Sequence, residues 1–232
     1  MNVHPIHTRI FRERDDLFVF ITAHVPRLKE GSILAVTSKI VALAEGRVVE
    51  IKNQKEKEAL IKRESAWHER VLPKWWLTVR DGTVIVNAGI DDSNGNGKTI
   101  LLPRDSFASA AALRKKLLAH YKLSALGVVI TDSRIAPLRS GVTGVALGYA
   151  GFKGIRDYRG TADIFGRTLE VTQTNIADSV ATAATLVMGE GSEQCPLAVI
   201  EDAPVVFHER TSRRELMIAM KDDLFKRLFT RS

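Results

Sequence analysis

The sequence predicts an α+β fold, with short strands and helices intermixed in one unit over residues 1–232. Three stretches carry that reading. Val84-Ile85-Val86 is a β-branched run suited to a strand, entered through a hairpin turn at Asp81-Gly82. Leu126 to Thr131 is a second apolar strand. Ser106 to Lys122 and Asn175 to Met188 are long alanine-rich segments that read as helices.

The remaining elements follow in order. Ile6 to Ile10 reads as an opening strand, and Asp15 or Asp16 caps a short helix ended by Pro26. Ser32 to Thr37 is a strand that gives way at Ser38-Lys39 to a brief helix, and Arg47 to Ile51 returns as a strand. Lys55 to Ser65 is a charged helix with a solvated face. From Arg139 to Gly166 glycine alternates with apolar residues, which predicts strands and tight turns rather than a linker. Leu197 to Ile200 and Pro204 to Phe207 read as strands, and Ser212-Arg213-Arg214-Glu215 as the capping box of a terminal helix.

Composition narrows the function classes. The 232 residues are 45% hydrophobic and 26% charged, ordinary for a folded chain with a full core. The net charge of +7 suits an anionic ligand, while scattered basic residues and only 6% aromatics argue against nucleic acid. The single cysteine, Cys195, excludes an intramolecular disulfide and a thiolate cluster. No apolar run reaches the ~20 residues of a membrane span, so the expectation is a cytoplasmic protein with no membrane partner.

The chemistry concentrates at acids that follow apolar elements. Asp91-Asp92-Ser93-Asn94 follows the first strand, Asp132-Ser133 the second, and Glu190 the helix ending at Met188-Gly189. Carboxylates, hydroxyls and amides are hard oxygen donors of the kind Mg²⁺ or Mn²⁺ takes, and read alone the first loop serves equally as a turn cap. Ser38-Lys39 is placed either to meet phosphate or simply to begin a helix. Arg139, Arg156, Arg159 and Arg167 are guanidinium groups suited to carboxylates and phosphates, some of them in structural pairs with Asp157 or Asp163. Gly97-Lys98-Thr99 imitates the end of a P-loop, but Asp92 stands where that motif needs glycine. No zinc pattern and no Gly-x-Ser-x-Gly elbow is present.

Val36-Thr37-Ser38-Lys39, Ala44-Glu45-Gly46-Arg47, Asn87-Ala88-Gly89-Ile90-Asp91-x-Ser93-Asn94, Asp157-Tyr158-Arg159-Gly160, Phe165-Gly166-Arg167 and Leu186-Val187-Met188-Gly189-Glu190 run in order along the chain. Together they resemble the coenzyme F420-0:γ-glutamyl ligase family. The resemblance implies an α+β fold with mostly antiparallel or mixed sheets in an intertwined homodimer. It also implies an enzyme that uses GTP or ATP with Mg²⁺ or Mn²⁺ to join L-glutamate to a carboxylate through an acyl phosphate.

Carried onto this chain, the resemblance makes Asp91, Asp132, Ser133 and Glu190 metal ligands. Ser38, Lys39, Asn94 and the loop Met188, Gly189, Glu190, Gly191 become nucleotide contacts, with Pro5 to Thr8 a further segment. Lys39, Asp132 and Arg139 become the catalytic set. Two departures stand out: Leu43 replaces a lysine usual in the family, and Ile135-Ala136-Pro137 replaces Gly-Arg-Pro. Thr131-Asp132-Ser133-Arg134 and Ser192 to Leu197 are similar to a bacterial branch associated with folate metabolism. On that wording the expected acceptor is a folate glutamate tail, with the F420 precursor as the alternative acceptor. A non-catalytic nucleotide- or folate-binding protein is the alternative of another class.

Overall fold

The fold was analysed in a computed structural model, which describes residues 1–93, 95 and 97–229. The strands are β1 (Asn2–Ile6), β2 (Ser32–Thr37), β3 (Val48–Val49), β4 (Trp67–Leu72), β5 (Trp75–Arg80), β6 (Thr83–Val86), β7 (Thr99–Ile100), β8 (Leu126–Ile135), β9 (Val142–Ala150), β10 (Ile155–Asp157), β11 (Gln173–Asn175) and β12 (Leu197–Glu201). The α-helices are α1 (Leu17–His24), α2 (Ser38–Ala44), α3 (Gln54–Arg63), α4 (Ser106–Tyr121) and α5 (Ile176–Met188). The mixed α+β class is the one the sequence predicts.

A five-stranded sheet in the order β1-β12-β2-β8-β9 forms the centre. The β2–β8 pair is parallel, from Ser32↔Leu126 to Thr37↔Thr131, and its neighbours are antiparallel. Alternation along these strands gives the sheet two apolar faces. Leu34, Val36, Val128 and Ile130 pack against Phe20, Ile21, Ile40, Leu113 and Leu117 of α1, α2 and α4. Ile33, Ala35, Val129 and Tyr149 pack against Ala177, Val180, Ala181 and Ala184 of α5. A sheet buried on both faces needs continuous apolar runs, which is why Ser32–Thr37 and Leu126–Thr131 are legible in the sequence.

The antiparallel sheet β4-β5-β6 lies with α3 around a smaller core of Leu60, Ile61, Trp76, Ala88, Ile90 and Leu101. Asp81 and Gly82 take φ of 50° and 77°, the two left-handed residues of a type I′ turn. Glu64 ties this part to the chain around it, accepting from Arg47 and Arg80 while Arg47 also donates to the Leu102 carbonyl.

Several sequence expectations are corrected. The first strand lies earlier, at Asn2–Ile6. β4 escapes periodicity because Trp-His-Glu-Arg-Val-Leu is mostly exposed. Pro204 to Phe207 forms no strand and touches Phe152 through one bridge at Phe207. Ser212 caps only a single 3-10 turn, Arg213–Glu215. Glu215 does not serve as a capping-box partner, because its carboxylate accepts from the Tyr149 hydroxyl and from the Gly154 and Ile155 N–H groups. β8 does not end at Asp132. It continues to Ile135, paired with Val142 of β9.

Candidate functional site

A cleft of about 1060 Å³ opens beside the carboxyl ends of β2 and β8, the place where a parallel pair opens onto ligand space in α/β sheets. Its lining includes Ser38, Lys39, Asp91, Asp132, Ser133 and Glu190. The three acids that the sequence separates therefore meet within one chain.

Each is delivered by a specific local device. Asn87, Ala88 and Gly89 all have positive φ (51°, 57° and 68°), so the chain leaves β6 in a sharp left-handed turn. The turn is held from beneath: the Trp76 N–H donates to Asn87 Oδ1 at 2.9 Å and the Ala88 N–H to Thr78 Oγ1 at 2.9 Å. A side chain at Gly89 would strike Leu102, so only glycine fits. Asp91 then pairs with Ile100 through both backbone groups, at 3.0 and 2.8 Å. Asp132 and Ser133 are carried by β8 itself, and Glu190 by the turn after α5, where the Gly191 N–H donates to Glu193 at 2.8 Å.

The charges are unevenly balanced. Lys39 Nζ lies 2.8 Å from Asp91 Oδ2, and the Ser93 N–H and hydroxyl donate to the same carboxylate at 2.7 and 2.9 Å. Burial alone would raise the Asp91 pKa, but Lys39 and Ser93 hold it below the usual range. Among the described residues Asp132 has no such cation. Burial pushes its carboxyl up to about 6, against the Ser133 N–H and Ser38 hydroxyl that favour the anion, and the charges of Asp91 and Glu190 add to the rise. Glu190 is likewise raised, first by burial and then by Asp91 and Glu193, while Lys39 and Ser133 oppose. Among the described residues no three acidic, histidine or cysteine side chains are gathered into a ready metal cage. Asp91 is meanwhile engaged by Lys39.

Met188, Gly189 and Gly191 also line the cleft, as does Leu43. Asn94 lies outside the described residues. Arg139 does not line the cleft. Because β8 and β9 stay paired beyond the acids, they carry the 136–141 turn outward, and Arg139 is exposed there with its N–H on the Ala136 carbonyl. Arg159 is held by Asp157 at 2.5 Å and Arg156 donates to the Pro204 carbonyl, and neither lines the cleft. The segment Thr8 to Glu13 and residue Lys98 line the cleft as well. Sequence reasoning gave Thr8 a minor role and Arg9 to Glu13 and Lys98 none, since no periodicity marks a coil segment that reaches a site through the fold.

The profile of the F420-0:gamma-glutamyl ligase family matches residues 5–202. The chain belongs to that family. It is 34% identical to the coenzyme F420:L-glutamate ligase of Archaeoglobus fulgidus, over 96% of this chain and 94% of the relative. The enzyme of the same name from Methanopyrus kandleri is 36% identical over 84% of this chain and 83% of its own. That of Methanococcus maripaludis is 34% identical over 92% and 86%. As an F420-0:gamma-glutamyl ligase family member the chain is a ligase that forms an amide bond with glutamate. The preference for a folate acceptor finds no support in these relatives, whose names all carry F420. No helix among the described residues is long and apolar enough to cross a membrane.

Proposed function

We propose that this chain joins the amine of L-glutamate to a carboxylate of coenzyme F420-0, using GTP, with ATP as the comparison nucleotide. The observation that carries the reading is the meeting of Asp91, Asp132, Ser133 and Glu190 beside Lys39 in one cleft, in a chain whose relatives bear that activity's name. A carboxylate is a poor acyl donor. Its oxygen would attack the γ-phosphorus and break the bond to the β-phosphate. The glutamate amine would then attack the acyl carbon, inorganic phosphate would leave, and the amine proton would pass to solvent.

The donor set fits a divalent cation. Carboxylate and hydroxyl oxygens are hard ligands; Asp132 is raised by burial and by the charges of Asp91 and Glu190, and Glu190 by burial and by those of Asp91 and Glu193, a strain that a dication relieves. Asp91, Asp132, Ser133 and Glu190 are the residues that would hold Mg²⁺ or Mn²⁺, which when bound neutralises phosphate oxygens during transfer. Lys39 supplies a fixed positive charge at the same place. Ser38 orients Asp132 through its hydroxyl.

The working assembly in this reading is a homodimer. Ile135, Leu138 and Val142 are exposed on the β8–β9 tip, an apolar projection suited to a second copy of the chain. Sedimentation of the purified protein tests it, with a monomer at micromolar concentration as the refuting result.

The deciding experiment combines Mg²⁺ or Mn²⁺, L-glutamate and GTP or ATP with F420-0 or with tetrahydrofolate monoglutamate. Phosphate release and product mass are read together. The expected result is a glutamate-sized gain on F420-0. A gain on the folate alone overturns the acceptor, and nucleotide binding with no product on either overturns the reaction.

A further inference from the structure

We propose that Lys98 is an anion-receiving residue of this cleft, kept occupied by Glu13 until a substrate displaces that carboxylate. The inference deepens the ligase reading and rests on it for the identity of the anions. Lys98 Nζ lies 2.7 Å from Glu13 Oε2, and both residues line the cleft. The pair joins two separate parts of the wall. Glu13 belongs to the entry segment between β1 and α1, which Phe11 pins into the main core. Lys98 belongs to the loop between the acid turn and β7.

The loop is built to present this side chain. The Lys98 N–H donates to the Gly95 carbonyl at 3.0 Å, and Gly97 has φ of 82°. A Cβ at Gly95 would lie 1.9 Å from the Lys98 carbonyl oxygen, so the turn requires glycine there. Gly97-Lys98-Thr99 thus fails as a P-loop in sequence yet brings a lysine to the same cleft as Lys39.

The charge balance explains why this lysine is available. All three substrates of a glutamate ligase reaction are anionic, and the cleft already holds Asp91, Asp132 and Glu190. Of the other basic residues on the wall, Lys39 is paired with Asp91 and Arg9 with Asp15, while Arg12 sits beside Glu13 on the same entry segment and is a second cation that an incoming anion can meet. The Glu13–Lys98 pair is partly exposed on both sides, 34% and 42%, so breaking it costs little. A substrate carboxylate inside the cleft offers the ammonium an equivalent charge-assisted bond, and a phosphate group brings more negative charge than the single Glu13 carboxylate.

The swap predicts opposite effects for the two partners, which a merely structural ion pair does not. Lys98→Met is expected to raise the KM for one anionic substrate by about tenfold. Glu13→Gln, which frees the ammonium, is expected to lower that same KM by about threefold. Measuring KM separately for GTP, L-glutamate and F420-0 tells which substrate supplies the anion. Calorimetric titration of GTP with Mg²⁺, of L-glutamate and of F420-0 into the same variants reads the swap without turnover. An inactive enzyme would therefore sink the proposed reaction and leave this inference to be judged by binding. If both variants weaken the same ligand, or neither moves any KM or binding constant, the swap is wrong. Thermal melts confirm that both variants are folded.

Discussion

Lys39 and Asp91 form an ion pair of 2.8 Å that links the first turn of α2 to the acid loop. The same ammonium also reaches the Ser93 hydroxyl at 3.1 Å. Lys39 therefore fixes the loop and competes for Asp91 with any cation in the cleft. Lys39→Met is expected to lower turnover by about 10²–10³, the usual loss when one preorganised charge is removed from a transition state. Mg²⁺ affinity, measured by calorimetry, should stay level or rise, because Asp91 loses a competitor. Weaker Mg²⁺ binding with full turnover would contradict both roles.

Asp132 predicts a trade between stability and activity. In the folded chain its carboxyl ionises at about 6, against an ordinary 3.8, with burial the main cause. The folded state therefore binds more protons than the unfolded state between those values, and its stability falls as pH rises through that window. At pH 7 the free protein carries a charge that its surroundings disfavour. Asp132→Asn should raise the melting temperature of the metal-free protein at pH 7 by roughly 2–4 °C and abolish turnover. Below pH ~4 the difference should close. Mg²⁺ should raise the melting temperature of the wild type and leave the variant unmoved. Wild-type turnover in the variant would remove Asp132 from the site.

Glu64 has the opposite sign. Burial alone would raise it, but Arg80 and Arg47 hold its carboxyl below the ordinary 4.5. A depressed carboxylate contributes stability that is full above the unfolded value and is lost as pH falls through the folded one. Chemical denaturation between pH 7 and pH 3 should show the wild type losing stability faster than Glu64→Gln in the acidic half. At pH 7 the variant should be the weaker by about 3 kcal/mol, since it leaves two guanidinium groups short of a counter-charge in the interior. Parallel pH curves would show that the triad carries no net stability.

Much of this architecture is legible in the sequence, for definite physical reasons. Ser32–Thr37 and Leu126–Thr131 are buried on both faces, so they read as unbroken apolar runs. Asp16, Asp105 and Asn175 cap their helices through side-chain oxygens, so the helix starts are marked by residue type. What the sequence hides is set by long-range contact. β4 is exposed and charged, and Glu215 looks like a cap but binds Tyr149, 66 residues away. At the site, acids after apolar elements are visible because burying a carboxylate is unusual. Their convergence, the Glu13–Lys98 pair and the outward place of Arg139 depend on topology that no local pattern encodes.

Thr78 shows how far the acid loop depends on a buried hydroxyl. The side chain is fully buried on β5, accepts from the Ala88 N–H at 2.9 Å and donates to the Ile85 carbonyl. Thr78→Val keeps the shape and removes both bonds. It leaves the Ala88 N–H buried and unpaired in a turn whose residues Asn87 and Ala88 already hold positive φ. The expected cost is about 1–3 kcal/mol in denaturant unfolding. The turn leads directly to Asp91, so relaxation there should also loosen the Lys39–Asp91 pair and reduce kcat more than it raises KM. Thr78→Ser, which keeps the hydroxyl and loses a methyl, separates the two effects: it should restore kcat while recovering only part of the stability. If serine fails where valine fails, packing rather than the hydrogen bond positions Asp91.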